Sequence, residues 1–130
     1  MNILSKWSGE LLSVLRIVSA YIFTLHGTQK LLGFPIEQRS PYDLFTLSPG
    51  LAGLLEIVLG PLLLIGLFTR PVAFVLSGFM AFAYFMSHAP RSFWPVANGG
   101  DSAILYCFVF LYIAAAGGGK WSVDAYRGRG

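Results

Sequence analysis

Residues 51–88, LAGLLEIVLGPLLLIGLFTRPVAFVLSGFMAFAYFMSH, decide the fold of this chain. They form two apolar segments, 51–68 and 72–88, that are separated only by a Thr-Arg-Pro turn. A connection this short predicts an antiparallel pair of helices, and Pro71 suits the first position of the second helix. Pro61 predicts a kink in the first helix, because proline removes one helical hydrogen bond.

Two further apolar segments flank this hairpin. The first ends at Gly33, and the proline-rich and charged stretch 34–50 predicts a structured or re-entrant surface loop. Asp101 or Ser102 is expected to cap the last segment, which a run of three glycines then ends. The sequence predicts an all-α, four-transmembrane-helix bundle in a single domain over 1–130, with helices near 11–32, 51–68, 72–88 and 102–116.

The composition identifies the medium in which these helices lie. Hydrophobic residues make up 55% of the chain and charged residues 12%, with a mean hydropathy of +0.67, whereas a soluble domain carries about 25% charged residues. We therefore expect an integral membrane protein in contact with the lipid bilayer. The net charge of +3 is dispersed, which argues against nucleic acid as a partner. Cys107 is the single cysteine, so the chain holds no dithiol for disulfide-based electron transfer.

Basic residues in the flanks predict the orientation. Five fall on one side of the predicted spans and two on the other: Lys6, Arg70, Lys120, Arg127 and Arg129 against Arg39 and Arg91. Because cytoplasmic flanks are enriched in Lys and Arg, both termini of this multi-pass protein are expected on the cytoplasmic side of the inner membrane. Residues 1–10 show no cleavage pattern, so the first segment is expected to remain as a span.

Five ionisable side chains lie in or against the apolar segments: His26, Lys30, Glu56, His88 and Asp101. Four consecutive spans bring all five to the same membrane face, whichever way the protein is inserted. Ionisable groups in a bilayer are costly unless they are buried together or line a wet cavity, so this convergence predicts a functional site.

Arg16 shares a stripe of the first helix with His26 and Lys30. It lies roughly 15 Å below His26 along the helix. Arg16 is expected either to contribute to binding or to anchor the helix by reaching the cytoplasmic interface.

Glu56 is expected to pair with Lys30, with His26 adjacent, because a nearby cation favours the charged form of a carboxyl group. Three interpretations stay open from the residues alone. The group is a structural clamp between the first two helices, or a pocket that handles protons or binds an anion, or a set of residues that never meet.

The residues specify cofactor chemistry only loosely. His26 and His88 on separate helices could ligate a haem, but no second histidine pair and no cysteine cluster in the sequence supports haem or a metal site. Aromatic residues near the same face, Trp94 among them, could stack on a quinone ring, although such residues more often pack in the core or face lipid. A quinone is a candidate ligand, and no metal is expected.

Six short stretches resemble the DoxX family of small four-helix membrane proteins. They are 15–16 (LR), 26–33 (HGTQKLLG), 53–56 (GLLE), 66–71 (GLFTRP), 98–101 (NGGD) and 117–124 (GGGKWSVD). The resemblance covers nearly the whole chain and implies a four-helix fold in the inner membrane. It also implies a link to membrane redox complexes that handle sulfur or oxidative stress, since related chains include a subunit of a thiosulfate:quinone oxidoreductase.

Two functional hypotheses follow. In the first, the chain is the membrane subunit of a redox complex and is not a self-sufficient oxidoreductase. Its catalytic residues are His26, which exchanges a proton, Lys30, which holds a negative charge, and Glu56, which tunes both, while Arg16, His88, Asp101 and Trp94 bind the quinone or sulfur species. The chain carries no cofactor of its own, so a soluble or membrane redox partner supplies the electron carriers, and a homo-oligomer is a candidate assembly.

In the second hypothesis, the protein is a small transporter or a membrane assembly or chaperone factor, and the polar cluster only fixes helix packing.

Overall fold

The computed structural model describes residues 2–37, 43, 45–46 and 50–128, and the regular structure in these residues is helical, without strands. Arg39, Arg129 and most of the predicted 34–50 loop lie outside the described residues. The helices are α1 (Asn2–Ser5), α2 (Ser8–Leu32), α3 (Ala52–Ile65), α4 (Thr69–Ala83), α5 (Pro95–Asn98), α6 (Asp101–Ala116) and α7 (Val123–Tyr126). A π-helical turn, Tyr84–His88, and a 3-10 turn, Ala89–Arg91, continue α4.

Two of these helices are long and apolar enough to cross a membrane. They are α2, Ser8–Leu32, with a hydropathy of 1.4, and α4 with its continuation, Thr69–Arg91, with a hydropathy of 1.5. The apolar helices α3 and α6 are shorter, at 14 and 16 residues. Length and composition thus support two spans among the described residues, and the four-span bundle stays a prediction.

Helices α2 and α3 approach each other closely at two glycines. A Cβ atom added to Gly27 of α2 would lie 2.8 Å from Glu56 Cβ, and one added to Gly60 of α3 would lie 2.4 Å from Thr24 Oγ1. Small residues of this kind let membrane helices pack backbone to backbone. The contact at Gly27 brings Glu56 within reach of Lys30, one helical turn further along α2.

The core lies between the long helices. Its most buried apolar side chains are Ala20, Phe23, Leu63, Ala73, Leu76, Phe110 and Ile113. Phe23 packs edge-on against Tyr106 and Phe110, with ring centroids 5.5 and 5.3 Å apart. Such edge-to-face pairs are a favourable aromatic geometry. This aromatic layer joins α2 to α6 at the inner end of the cavity described below.

Helix α4 begins at Thr69 and not at Val72, so the expectation that Pro71 occupies its first position is wrong. The two carboxylate oxygens of Asp124 accept hydrogen bonds from the backbone N–H groups of Phe68 and Thr69, at 2.9 and 2.8 Å. The start of the helix is therefore capped by a carboxylate more than fifty residues away. Pro71 becomes the third helical residue, where a missing N–H costs nothing.

Asp124 is buried, and burial alone would raise its pKa. The hydrogen bonds from Thr69 and Phe68, helped by the charge of Arg127, outweigh that effect and hold the pKa below its ordinary value. The charged form of Asp124 is thus the form that the fold stabilises.

The C-terminal segment, residues 117–126, folds back onto α2. Arg16 is 1% exposed and donates hydrogen bonds to the carbonyl oxygens of Gly118, of Trp121 at 2.8 Å and of Leu64 at 3.3 Å. Ser13 Oγ donates to Gly118 O at 3.0 Å and accepts from Trp121 N–H at 2.9 Å. The Arg16 side chain is therefore buried inside the protein, where backbone carbonyl oxygens accept hydrogen bonds from both of its terminal nitrogens.

The predicted cap of α6 also differs from the structure. Gly100 occupies the N-cap position and no side chain caps the helix, so neither Asp101 nor Ser102 has that role. Asp101 is instead the first helical residue, where a carboxylate interacts favourably with the helix dipole.

Candidate functional site

An ion pair between α2 and α3 is the centre of the candidate site. Lys30 Nζ lies 2.8 Å from Glu56 Oε1 and 3.1 Å from Oε2. The side chains are 16% and 6% exposed, respectively. Both charges are thus largely removed from solvent, and the pairing offsets part of the cost of burying them.

A cavity of about 550 Å³ lies beside this pair. Its polar lining residues are His26, Lys30, Glu56, Ser87, His88, Arg91, Ser102 and Tyr106, and its apolar ones are Phe23, Ala52, Phe79, Met80, Ala83 and Ala103. Helices α2, α3, α4 and α6 all contribute, together with the π-helical and 3-10 turns after α4. The volume is in the range of small-molecule sites, and the mixture of an apolar wall with a few converging polar groups is typical of them.

His88 is oriented by the loop that follows it. Its Nδ1 lies 3.1 Å from the carbonyl oxygen of Asn98, and its ring stacks on Tyr84 at 6.2 Å between centroids. Because a carbonyl oxygen only accepts, Nδ1 carries the proton and Nε2 of the neutral ring is left as an acceptor. Asn98 is itself fixed, since its side-chain amide donates to Tyr84 Oη at 3.0 Å and to Ser92 O at 2.9 Å.

His26 lines the cavity from α2 and is exposed. Its ring lies edge-on to Tyr106, with centroids 6.4 Å apart. Tyr106 also stacks on Phe110 at 5.4 Å. The tyrosine is therefore held in place by aromatic neighbours on α2 and α6, with its ring beside the imidazole.

Four of the seven predicted site residues line the cavity, namely His26, Lys30, Glu56 and His88. The structure does not bring the other three to it. Arg16 lies under the C-terminal segment, Asp101 is exposed in the first turn of α6, and Trp94 is 64% exposed and packs edge-on against Phe93 at 5.0 Å.

Sequence reasoning missed Tyr106, Arg91, Ser87 and Ser102 as lining residues. Ser102 and Tyr106 lie four residues apart and so share one face of α6, but neither is among the charged residues and histidines from which the site was predicted. Arg91 follows His88 by three residues, a spacing that also places two side chains on one face of a continuing helix.

Positive charge exceeds negative charge in the cavity. Lys30 and Arg91 oppose a single carboxylate, Glu56, among the described lining residues, which leaves one net positive charge with both histidines neutral. A cavity of this kind favours ligands with electron-rich oxygen atoms or a negative charge. Within the described residues, His, Cys, Asp and Glu form no group of three that could hold a metal ion.

The fold and the site together define a helical membrane protein with a polar cavity among its long helices. The chain belongs to the DoxX family, whose model, described as DoxX, matches residues 11–89. It is also 46% identical over 129 residues to a protein of Haemophilus influenzae described as an uncharacterized protein, covering 95% of this chain and 96% of the relative. No solved structure matches the chain.

Proposed function

We propose that this protein is the membrane subunit of a redox complex and that its cavity binds a quinone ring or a small sulfur oxyanion. One observation supports the proposal most strongly: the Lys30–Glu56 pair lies in the wall of a cavity large enough for a small molecule, with Arg91 as a second cation. Both ligand classes present oxygen atoms that accept hydrogen bonds from such cations.

The lining residues have separate tasks in this proposal. Lys30 and Arg91 donate hydrogen bonds to ligand oxygens, and Glu56 holds the Lys30 ammonium group in position. His88 Nε2 and the His26 ring take up or release protons, which matters because the reduction of a quinone by two electrons consumes two protons. Phe23 and Phe79 supply an apolar wall for a ring. A partner supplies the electrons, since this chain has one cysteine and binds no redox group of its own in the proposal.

The proposed topology has four spans in the inner membrane with both termini in the cytoplasm. Helices of 14 and 16 residues are about 21 and 24 Å long at about 1.5 Å per residue, so α3 and α6 cross with local thinning of the bilayer. Lys6, Arg70, Lys120 and Arg127 lie at the ends that would face the cytoplasm. The cavity then faces the outer side of the membrane.

Ligand binding to purified protein in lipid nanodiscs tests the proposal. The probes are duroquinone, a fully methylated benzoquinone, and thiosulfate, each titrated by calorimetry. We expect saturable binding of at least one probe by the wild type. We also expect at least a tenfold weaker affinity in the double variant Lys30→Met/Glu56→Gln, which removes both charges together. The matched control is Lys120→Met, because Lys120 pairs with Glu10 at 3.6 Å outside the cavity. Absence of binding by the wild type, or equal affinity in the double variant, would contradict the proposal.

A second candidate function is supported by the same ion pair. Lys30 donates to both carboxylate oxygens of Glu56 where α2 packs against α3. A polar pair of this kind would also hold the two helices together if its role were purely structural. The protein would then be a transporter or an assembly or chaperone factor. In that case Glu56→Gln mainly lowers protein abundance in membranes, and a transport or partner-maturation defect occurs without a redox defect.

A further inference from the structure

Asn98 is a buried polar residue in the loop between α4 and α6, with only 1% of its surface exposed. Its side-chain amide donates hydrogen bonds to Tyr84 Oη at 3.0 Å and to the carbonyl oxygen of Ser92 at 2.9 Å. Its Oδ1 atom accepts a hydrogen bond from the backbone N–H of Gly100 at 2.8 Å. Both polar atoms of this side chain are therefore hydrogen-bonded inside the protein, as a buried amide requires.

The three hydrogen-bond partners of this amide group lie next to residues that line the cavity. Tyr84 is the first residue of the π-helical turn, Tyr84–His88, whose last two residues are lining residues. Ser92 directly follows Arg91, which also lines the cavity. Gly100 is the N-cap of α6, which supplies further lining residues. One side chain therefore fixes three segments of the chain around the cavity.

The Tyr84 ring links Asn98 to His88. It stacks on the His88 ring, with centroids 6.2 Å apart and planes 25° apart. It also packs closely against Gly100, where an added Cβ atom would lie 2.4 Å from Tyr84 Cε1. The hydrogen bond from Asn98 to the Tyr84 hydroxyl group thus orients the ring on which His88 stacks.

The main chain of Asn98 contacts His88 directly. Its carbonyl oxygen lies 3.1 Å from His88 Nδ1, so this nitrogen carries the proton in the neutral ring. Nε2 is then the ring nitrogen with a lone pair, and it can accept a hydrogen bond or a proton from a ligand. After Nε2 takes up a proton, the same carbonyl oxygen still accepts from Nδ1–H and stabilises the cation. A backbone carbonyl partner is a common way to set the tautomer of a functional histidine.

We infer that Asn98 is a positioning residue of the cavity, which keeps His88 in the Nδ1–H tautomer and holds Arg91 at the cavity wall. Asn98 itself does not line the cavity. Its side chain fixes the loop, and the fixed loop places its carbonyl oxygen at His88 Nδ1. The tautomer of His88 is independent of the ligand, whereas the effect of Asn98 on ligand affinity rests on the proposed function.

Nuclear magnetic resonance of the protein in nanodiscs, with isotope-labelled histidine, measures this tautomer. The chain has two histidines, so the spectrum of His26→Gln identifies the signals of His88. At alkaline pH we expect the Nδ1–H tautomer of His88 to predominate in the wild type. We expect Asn98→Ala to raise the fraction of the Nε2–H tautomer at least threefold, because the loop no longer holds the carbonyl oxygen in place.

Ser92→Ala is the matched control in the same loop. It keeps the carbonyl oxygen that accepts from Asn98 and removes only a hydroxyl group, which accepts from the N–H of Trp94 at 3.3 Å. We expect the tautomer of His88 to be unchanged in this variant. A change as large as that in Asn98→Ala would overturn the specific role of the amide.

Ligand affinity is measured on the same proteins with duroquinone and with thiosulfate. For a probe that binds the wild type, we expect Asn98→Ala to weaken binding at least threefold and Ser92→Ala to leave it unchanged. Unchanged affinity in Asn98→Ala would overturn the positioning role. If neither probe binds the wild type, the proposed function fails, while the tautomer of His88 still decides whether Asn98 orients this ring.

A measurement on the unmodified protein covers the case in which Asn98→Ala does not fold. Magnetisation transfer from the Nδ1 proton of His88 to the carbonyl carbon of Asn98 reports their contact directly, and its presence supports the inference. The inference is overturned if this transfer is absent or if wild-type His88 is mainly the Nε2–H tautomer. Wild-type tautomer populations in a folded Asn98→Ala variant would overturn it as well.

Discussion

At the scale of single residues, the Lys30–Glu56 pair is the feature on which the candidate site depends. Glu56→Gln leaves the Lys30 ammonium group without its counter-charge in a largely buried place, so we expect the variant to lose about 1–3 kcal/mol of stability. The double variant Lys30→Met/Glu56→Gln should recover most of that loss, because no unpaired charge remains. Thermal unfolding of the wild type, the single variants Lys30→Met and Glu56→Gln, and the double variant in detergent measures the coupling.

The pair Lys120–Glu10 provides the control for this comparison of single and double variants. Its atoms lie 3.6 Å apart and Lys120 is 64% exposed, so Glu10→Gln should change stability by less than about 1 kcal/mol. Strictly additive effects of the Lys30 and Glu56 substitutions would show that the two side chains do not stabilise each other.

Asp124 predicts a pH dependence of stability. The pKa of Asp124 is below its ordinary value in the folded state, so its contribution is complete at pH values above that ordinary value. The contribution disappears as the pH falls through the lower, folded-state pKa. Asp124→Asn should therefore destabilise the protein at pH 7 by about 1 kcal/mol and reduce the loss of stability on acidification. Unfolding temperatures of both proteins at pH 7 and pH 3 measure this difference, and equal losses on acidification would contradict the assignment.

The sequence predicted part of the residue-scale site for physical reasons. Lys30 and Glu56 are the charges within the apolar segments that can neutralise each other at similar depth, and the structure places them in contact. The cluster of Arg16 with Gly118 and Trp121 was not predictable, because its acceptors are backbone carbonyls. Carbonyl groups are present at every residue, so the sequence carries no signal for such a contact.

At the scale of the helices, the close approach of α2 to α3 depends on Gly27. Gly27→Ala would place a Cβ atom 2.8 Å from Glu56 Cβ and 2.9 Å from the backbone nitrogen of Ile57. The helices must then separate, and we expect a loss of about 1–3 kcal/mol together with weaker ligand binding.

Gly78→Ala is the matched control for that substitution. Gly78 lies within α4 and no atom lies within 4 Å of a Cβ built there. The change should be neutral or stabilise the helix by up to about 1 kcal/mol. Thermal unfolding of both variants decides the comparison, and equal effects would show that the close packing at Gly27 does not matter.

Two helix ends were predicted at the residue that the structure shows, whereas the predicted end of the second segment, Phe68, lies three residues beyond Ile65, the last residue of α3, which Gly66 follows. The predicted last residues of the first and fourth segments, Leu32 and Ala116, are the last residues of α2 and α6, and glycine follows each. The start of α4 was predicted three residues late, because its cap is Asp124, far away in sequence. A cap supplied by tertiary structure leaves no local pattern, so reading the turn alone gave Pro71 the wrong position.

At the scale of the whole molecule, the proposed topology predicts the location of each loop. Fusions of green fluorescent protein at the C-terminus or after Arg70 should fluoresce, since those sites are proposed to lie in the cytoplasm. Alkaline phosphatase fused after Phe93 should be active, because it would lie outside. An active phosphatase at the C-terminus would refute the even number of spans with cytoplasmic ends.

Family membership supports the class of protein, and the cavity supports the proposal that the protein binds a ligand. The DoxX match over residues 11–89 includes ten of the lining residues, among them His26, Lys30, Glu56 and His88. The family match identifies the class of protein but does not specify a ligand. The choice between a binding site and a structural clamp therefore depends on what occupies the space beside the Lys30–Glu56 pair.

An experimental structure of the protein purified with its native lipids tests this central claim most directly. The account predicts non-protein density in the cavity, within hydrogen-bonding distance of Lys30 or Arg91. A cavity that contains only water, with Lys30 in contact with Glu56 alone, would contradict the account and leave the structural clamp.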